Sequence, residues 1–207
     1  MKNKFLFILI LFSFTILITS DISTIENKNN PLQQNSKPKI FSLSDIKVLG
    51  IRLDMSKEKI EKVLGKPIKI KTQYEDAFGG DVLIYYYKFG FIRLEPLGEN
   101  EYTVSGITID KPGFKGPRGI MVGDKVEDVI IKFPNNGNLV EDWGNGKRKY
   151  LYGTINDNFF GYIEFDKKGE ITWIGYNYGG EGFGSYTLRL KIENNKVKSI
   201  GIYVMNV

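Results

Sequence analysis

The feature that most constrains this chain is a two-residue alternation of apolar and polar side chains in short runs. Ile68, Ile70 and Tyr74 alternate with Lys69, Lys71 and Gln73, and Tyr186, Leu188, Leu190 and Ile192 alternate with Thr187, Arg189, Lys191 and Glu193. Successive side chains of a strand point to opposite faces, so these runs predict strands with one face buried. Turn-forming residues separate the runs: Asn145-Gly146, Asp166-Lys167-Lys168-Gly169 and Asn194-Asn195. Loops this short make neighbouring strands antiparallel.

A second pattern places apolar residues at Val104, Ile107 and Ile109, at Ile171, Ile174 and Tyr176, and at Val197, Ile200 and Ile202. The three-residue step breaks the parity of two, which predicts a bulge or bend inside each run. With Ile107, Ile174 and Ile200 on the covered side of a sheet, Gly106, Trp173 and Ser199 face away from it.

The chain is also similar to itself at an offset of 69 residues. Residues 50–60 align with residues 119–129 without a gap, Leu64 aligns with Phe133, and Gly65-Lys66-Pro67 and Pro134 stop the two segments. Both read as short helices, over 56–64 behind a Ser56 cap and over 124–133 behind an Asp124/Glu127 capping pattern. In the second, Val126, Val129, Ile130 and Phe133 fall on one face. Helices this short need a sheet to pack on. The expected fold is therefore α+β: two tandem units, 41–112 and 113–207, each a short helix packed on an antiparallel sheet.

This arrangement, with its Gly-Ile-x-Leu/Val opening, capped helix and following strands, resembles the beta-lactamase inhibitor protein and the outer-membrane assembly lipoproteins of the BamE (SmpA/OmlA) type. The resemblance covers about residues 45–110 and again 115–204. Both families carry cysteines that this chain lacks, and no residue role transfers. What the resemblance implies is a fold that binds other proteins across a sheet without catalysis.

Ahead of these units, Lys2 and Lys4 precede the apolar run Phe5–Ile18, followed by Thr19 and Ser20. That is the pattern of a signal peptide over residues 1–20. As a helix, 14 residues would span about 21 Å, short of the roughly 30 Å of a bilayer core, so no membrane span is expected once the signal is removed. Residues 21–40 are rich in Asn, Gln, Ser and Lys and read as a flexible tether. Two of the 29 basic residues precede Asp21, leaving 27 against 24 acidic ones, a net charge of +3. An extracytoplasmic protein is the expectation.

The chain has no Cys and no His, which removes thiol chemistry, imidazole bases and the usual zinc ligands. The Gly-rich stretch 175–184 precedes a strand rather than a helix, so it reads as a hairpin loop and not as a phosphate cradle. Asp76, Asp81 and Asp157 have no EF-hand spacing and read as turn residues. Ser56-Lys57-Glu58-Lys59 fits Ser-x-x-Lys, but a cap explains Ser56. No catalytic residue, cofactor or metal is expected. Trp143 stands beside Lys147-Arg148-Lys149, the elements of a polyanion contact or a solvated hairpin tip; export argues against nucleic acid. Tyr85, Tyr86, Tyr87, Phe89 and Phe91 cannot all enter one core, so either a second layer covers some of them or they form an exposed strip.

These readings give a non-enzymatic binding or protein-interaction module. Its partner is an unknown protein or a cell-envelope component, with a polyanion or carbohydrate as the alternative and a carboxylate hydrolase the remotest one. The candidate partner-binding residues are Trp173, Tyr85, Tyr87, Trp143 and Phe183, with Tyr86 in place of its neighbours if the parity of that strand is reversed.

Overall fold

The computed structural model describes residues 38–76, 79–179 and 184–205. The signal peptide, most of the tether and Phe183 lie outside the described residues. Twelve strands are described. β1 (Lys47–Val48) and β2 (Ile51–Arg52) form a small hairpin, followed by helix α1 (Lys57–Leu64). Then come β3 (Lys69–Glu75), β4 (Gly80–Tyr87), β5 (Gly90–Gly98) and β6 (Glu101–Ile109). A connection containing the short helix α2 (Val126–Ile130) leads to β7 (Val140–Trp143), β8 (Gly146–Tyr152) and β9 (Phe159–Phe165). The chain ends with β10 (Ile171–Gly179), β11 (Ser185–Glu193) and β12 (Lys196–Met205).

Strands β3 to β12 form one antiparallel sheet in the order β3-β4-β5-β6-β12-β11-β10-β9-β8-β7. This corrects the expectation of two tandem helix-on-sheet units. The last strand folds back onto β6, pairing Ile200 with Ile109 and Ile202 with Ile107, so the two halves share one uninterrupted ladder. The helical content is also smaller than expected. α1 is a helix of eight residues, whereas α2 has only five. The Asp124 carboxylate accepts the Met121 N–H at 2.9 Å, closing a turn ahead of α2 instead of capping it.

One face of the sheet is covered. Tyr85, Ile92, Ile107, Ile202, Leu188 and Tyr176 stand in register across it, all buried. Ile60 of α1 packs into the same cluster, as do Val48, Ile51 and Leu53 around the small hairpin and Val126, Val129 and Phe133 around α2. The Phe133 ring stacks on Tyr176 with centroids 3.8 Å apart. Arg118 ties the covering segments together: it donates to both Asp45 carboxylate oxygens at 2.8 Å and to the carbonyls of Lys39, Ile40 and Lys132 at 2.6–2.7 Å.

The expected bulges are all present. Register shifts fall between Val104 and Gly106, between Ile171 and Trp173, and between Val197 and Ser199. Gly106, Trp173 and Ser199 accordingly lie on the second face, which no described segment covers. The Asn194-Asn195 turn forms with φ of 53° and 57°. The β7–β8 turn is one residue earlier than Asn145-Gly146, at Gly144-Asn145, because Gly146 begins β8, where a Cβ would strike the Phe165 carbonyl. Among the described residues, no helix is long and apolar enough to cross a membrane.

Candidate functional site

The uncovered face is organised by three rows of cross-strand neighbours. One runs Ser199, Lys191, Trp173, Glu164, Arg148, Glu141. The next runs Thr108, Gly201, Arg189, Gly175, Tyr162, Tyr150. The third runs Gly106, Tyr203, Thr187, Asn177, Phe160. Glycines in these rows let tyrosine rings lie flat on the backbone. A Cβ on Gly175 would fall 2.5 Å from Tyr162 Cε1, and one on Gly106 would fall 2.9 Å from Tyr203 Cδ1. Aromatic rings shielding a strand glycine in this way restore the packing that the missing side chain would have made.

On this floor stand two guanidinium groups. Arg148 is sandwiched between aromatic rings, with Cζ 3.2 Å from the Trp143 ring centroid and 4.2 Å from that of Tyr162. Arg189 lies over Trp173 at 4.2 Å. Both share one carboxylate: Arg148 donates to Glu164 Oε1 at 2.6 Å, and Arg189 stands 3.5 Å from Oε2. The Arg148 and Glu164 side chains are only 5% and 11% exposed, while Arg189 remains 41% exposed. The Nε atoms of both arginines are buried without a hydrogen-bond partner. Such orphaned donors call for an explanation where backbone and side chains otherwise pair. Burial raises the Tyr162 hydroxyl above its usual value, so that ring stays neutral under the cation.

Around these groups opens a cleft of about 730 Å³, lined by Trp143, Arg148, Phe160, Tyr162, Trp173, Asn177, Thr187, Arg189 and Tyr203 together with Ile155, Asp157 and Asn158. The Thr187 hydroxyl donates to Asn177 Oδ1 at 2.6 Å, which leaves the Asn177 amide N–H groups to the cleft side. The volume falls within the range of about 300–1,000 Å³ usual for small-ligand sites.

The expected residues divide. Trp173 is half-buried and Trp143 is 40% exposed, and both line the cleft. Tyr85 and Tyr87 are corrections, because the parity of β4 is reversed and both point to the covered face. Tyr85 is buried and donates to Glu61 Oε1 of α1 at 3.1 Å, and Tyr87 donates to the Gly65 carbonyl at 3.2 Å. Tyr86 and Phe91 take the uncovered face, with ring centroids 6.0 Å apart. The residues missed are Arg148 as a cleft residue, Arg189, Glu164, Tyr162, Phe160 and Tyr203. Strand parity could have separated Arg148 from Lys147 and Lys149, since only the middle one of the three shares a face with Trp143.

No group of three or more His, Cys, Asp or Glu side chains among the described residues could hold a metal ion. No family model matches the chain. No curated protein matches it either. Among solved structures, an extracellular protein containing a SCP domain from Bacillus anthracis str. Ames is similar at a TM-score of 0.41 and 14% identity. That match covers 81% of this chain and 49% of the other, so the chain spans about half the length of that structure. No residue role follows from so slight a likeness.

Proposed function

We propose that the protein is an exported, non-enzymatic binding module whose cleft on the uncovered sheet face takes an anionic glycan of the cell envelope. The observation that carries this reading is the sharing of one carboxylate, Glu164, between two arginines, one of them still 41% exposed. Arg189, sharing its carboxylate with Arg148 and still exposed, keeps N–H donors on the cleft side, which suits carboxylate or sulfate groups on a ligand. Trp143 keeps one face on Arg148 and is exposed on the rest, a platform for a sugar ring. Glu164, accepting from Arg148 and ion-paired to Arg189 at 3.5 Å, is poorly placed to act as a general acid or base. Export rests on the charged start and apolar run of residues 1–20. The resemblance to families that bind proteins across a sheet favours an acidic protein segment as the second reading, with the same groups engaged.

Both tryptophans of the chain line this cleft, so selectively excited tryptophan emission reports on its surroundings. Titration with hyaluronan oligosaccharides should change the emission saturably, weaken with salt and fail in Arg189→Gln, while neutral dextran oligosaccharides should have no effect. Poly-glutamate binding in place of hyaluronan would favour the protein-segment reading. If neither polyanion binds, the anionic-ligand reading is lost. Intact-mass measurement of the protein from the culture medium tests export: a chain retained in the cytoplasm with residues 1–20 attached would refute it.

A further inference from the structure

The sheet has two outer edges, and they differ. β7 is four residues long, whereas β3 is a regular seven-residue strand paired only with β4 among the described residues. β3 is exposed on both faces along nearly its whole length, and its apolar residues are uncovered: Ile70 is 51% and Tyr74 63% exposed, with Ile68 beside them at 69%. A long, flat, apolar edge of this kind is a template for pairing with another strand. Lysines on an edge ordinarily prevent that by repulsion, and β3 carries two, Lys69 and Lys71.

The sequence of β3, Lys-Ile-Lys-Thr-Gln-Tyr-Glu, turns that repulsion into a register. In an antiparallel pairing with a second copy centred on Thr72, Lys69 faces Glu75, Ile70 faces Tyr74, Lys71 faces Gln73, and Thr72 faces itself. Opposite charges, a β-branched residue against an aromatic ring, and threonine against threonine are the favourable cross-strand pairs. Shifting the centre by one residue toward the N-terminus puts Lys71 against Lys71, and by two residues Lys69 against Lys71. The register centred on Thr72 keeps the same-face relation, since a two-fold axis perpendicular to the sheet leaves both uncovered faces on one side. Glu75 is fixed at this end of the strand by Arg93, which donates to its two oxygens at 2.6 Å each.

We infer that β3 is a self-complementary edge through which two copies of this chain join into one continuous sheet. The occupant of the edge is a second copy because the charge pattern is complementary to its own reversal. The pairing uses the edge farthest from β7, so both clefts stay open, at opposite ends of the joined sheet. This inference does not depend on what the cleft binds.

The exported protein should sediment as a concentration-dependent dimer. Lys69→Glu, which sets Glu against Glu75 at both ends of the pairing, and Ile70→Lys should each weaken dimerisation at least tenfold, with circular dichroism unchanged. Because the chain has no cysteine, Thr72→Cys gives a register test. Facing Cα atoms in an antiparallel pair are about 4.5–5.5 Å apart, within disulfide reach, so mild oxidation should yield a covalent dimer, and Gln73→Cys should not. A strictly monomeric protein at concentrations up to the millimolar range overturns the inference. So does equal cross-linking of the two cysteine variants, or growth of open-ended polymers, which would indicate β3 against β7.

Discussion

Gly175→Ala tests whether the cleft floor depends on a bare backbone. The added methyl would lie 2.5 Å from Tyr162 Cε1 and still nearer to Cζ and the hydroxyl oxygen of that side chain, where about 3.4 Å or more is comfortable. The ring must move by roughly 1 Å, yet Arg148 stacks on its outer face at 4.2 Å and Phe160 stands beside it at 5.9 Å. Overpacking of this kind costs about 1–3 kcal/mol, partly offset by the roughly 0.5–1 kcal/mol that alanine gains over glycine in a strand. A net loss of about 1–2 kcal/mol should appear in urea unfolding followed by circular dichroism, with a shift in tryptophan emission as Arg148 is displaced under Trp143. In a Tyr162→Ala background the methyl has room, so the same substitution should cost nothing there. Gly98→Ala, with no atom within 4 Å of the added carbon, is the neutral control. A Gly175→Ala protein as stable as the parent, or one whose loss persists without Tyr162, would refute the packing argument.

Arg118→Ala should destabilise by about 3 kcal/mol or more, the scale for stripping the partner from a buried charge, because Asp45 is only 8% exposed and three backbone carbonyls lose a donor; thermal unfolding measures it. The hydrogen bond from Arg93 holds the Glu75 carboxyl below its usual 4.5. Its contribution is complete above pH 4.5 and is lost as pH falls through the lowered value, so Glu75→Gln should flatten the acid limb of a urea-midpoint profile. At the other extreme, burial raises the hydroxyls of Tyr85, Tyr162 and Tyr176, and pushes Tyr152 up to about 12, all from the usual value of 10. Their contribution is complete below pH 10 and is lost as pH rises toward 12. A spectrophotometric titration should therefore show a delayed tyrosinate phase coincident with unfolding.

What the sequence reveals of this fold is set by how local each signal is. The bulges were legible because a three-residue apolar step within one strand reverses parity whatever the partner, and that alone places Trp173 on the uncovered face. The parity of β4 was not legible, since five aromatic residues between 85 and 91 suit either face, and Glu61 of α1, which accepts from Tyr85, decides the matter from outside the strand. The similarity at an offset of 69 residues marks two helix-opening segments, but it carries no information on whether the sheets that follow remain separate. That depends on β12 reaching β6 across nearly a hundred residues of chain. The apolar spacing of Val126, Val129, Ile130 and Phe133 is satisfied by a five-residue helix followed by a turn, with Phe133 buried against Tyr176. Arg148 and Arg189 read as solvated strand residues until the register sets them around Glu164.

The two halves of the uncovered face show why the cleft lies where it does. On the β3–β6 side Arg93 is matched by two carboxylates, Glu75 at 2.6 Å and Glu95 at 3.1 Å. On the β8–β11 side Arg148 and Arg189 share Glu164, and aromatic faces supply the remaining attraction. A guanidinium over an aromatic ring is stabilised by about 0.5–2 kcal/mol, without using the N–H donors that lie in its plane. Stacking therefore holds each arginine in position, and on the exposed Arg189 it leaves edge donors that a second carboxylate would have consumed. The same chemistry that makes an uncovered sheet face tolerable in water thus produces a closed salt-bridge cluster in one half and a cleft floored by stacked guanidiniums in the other.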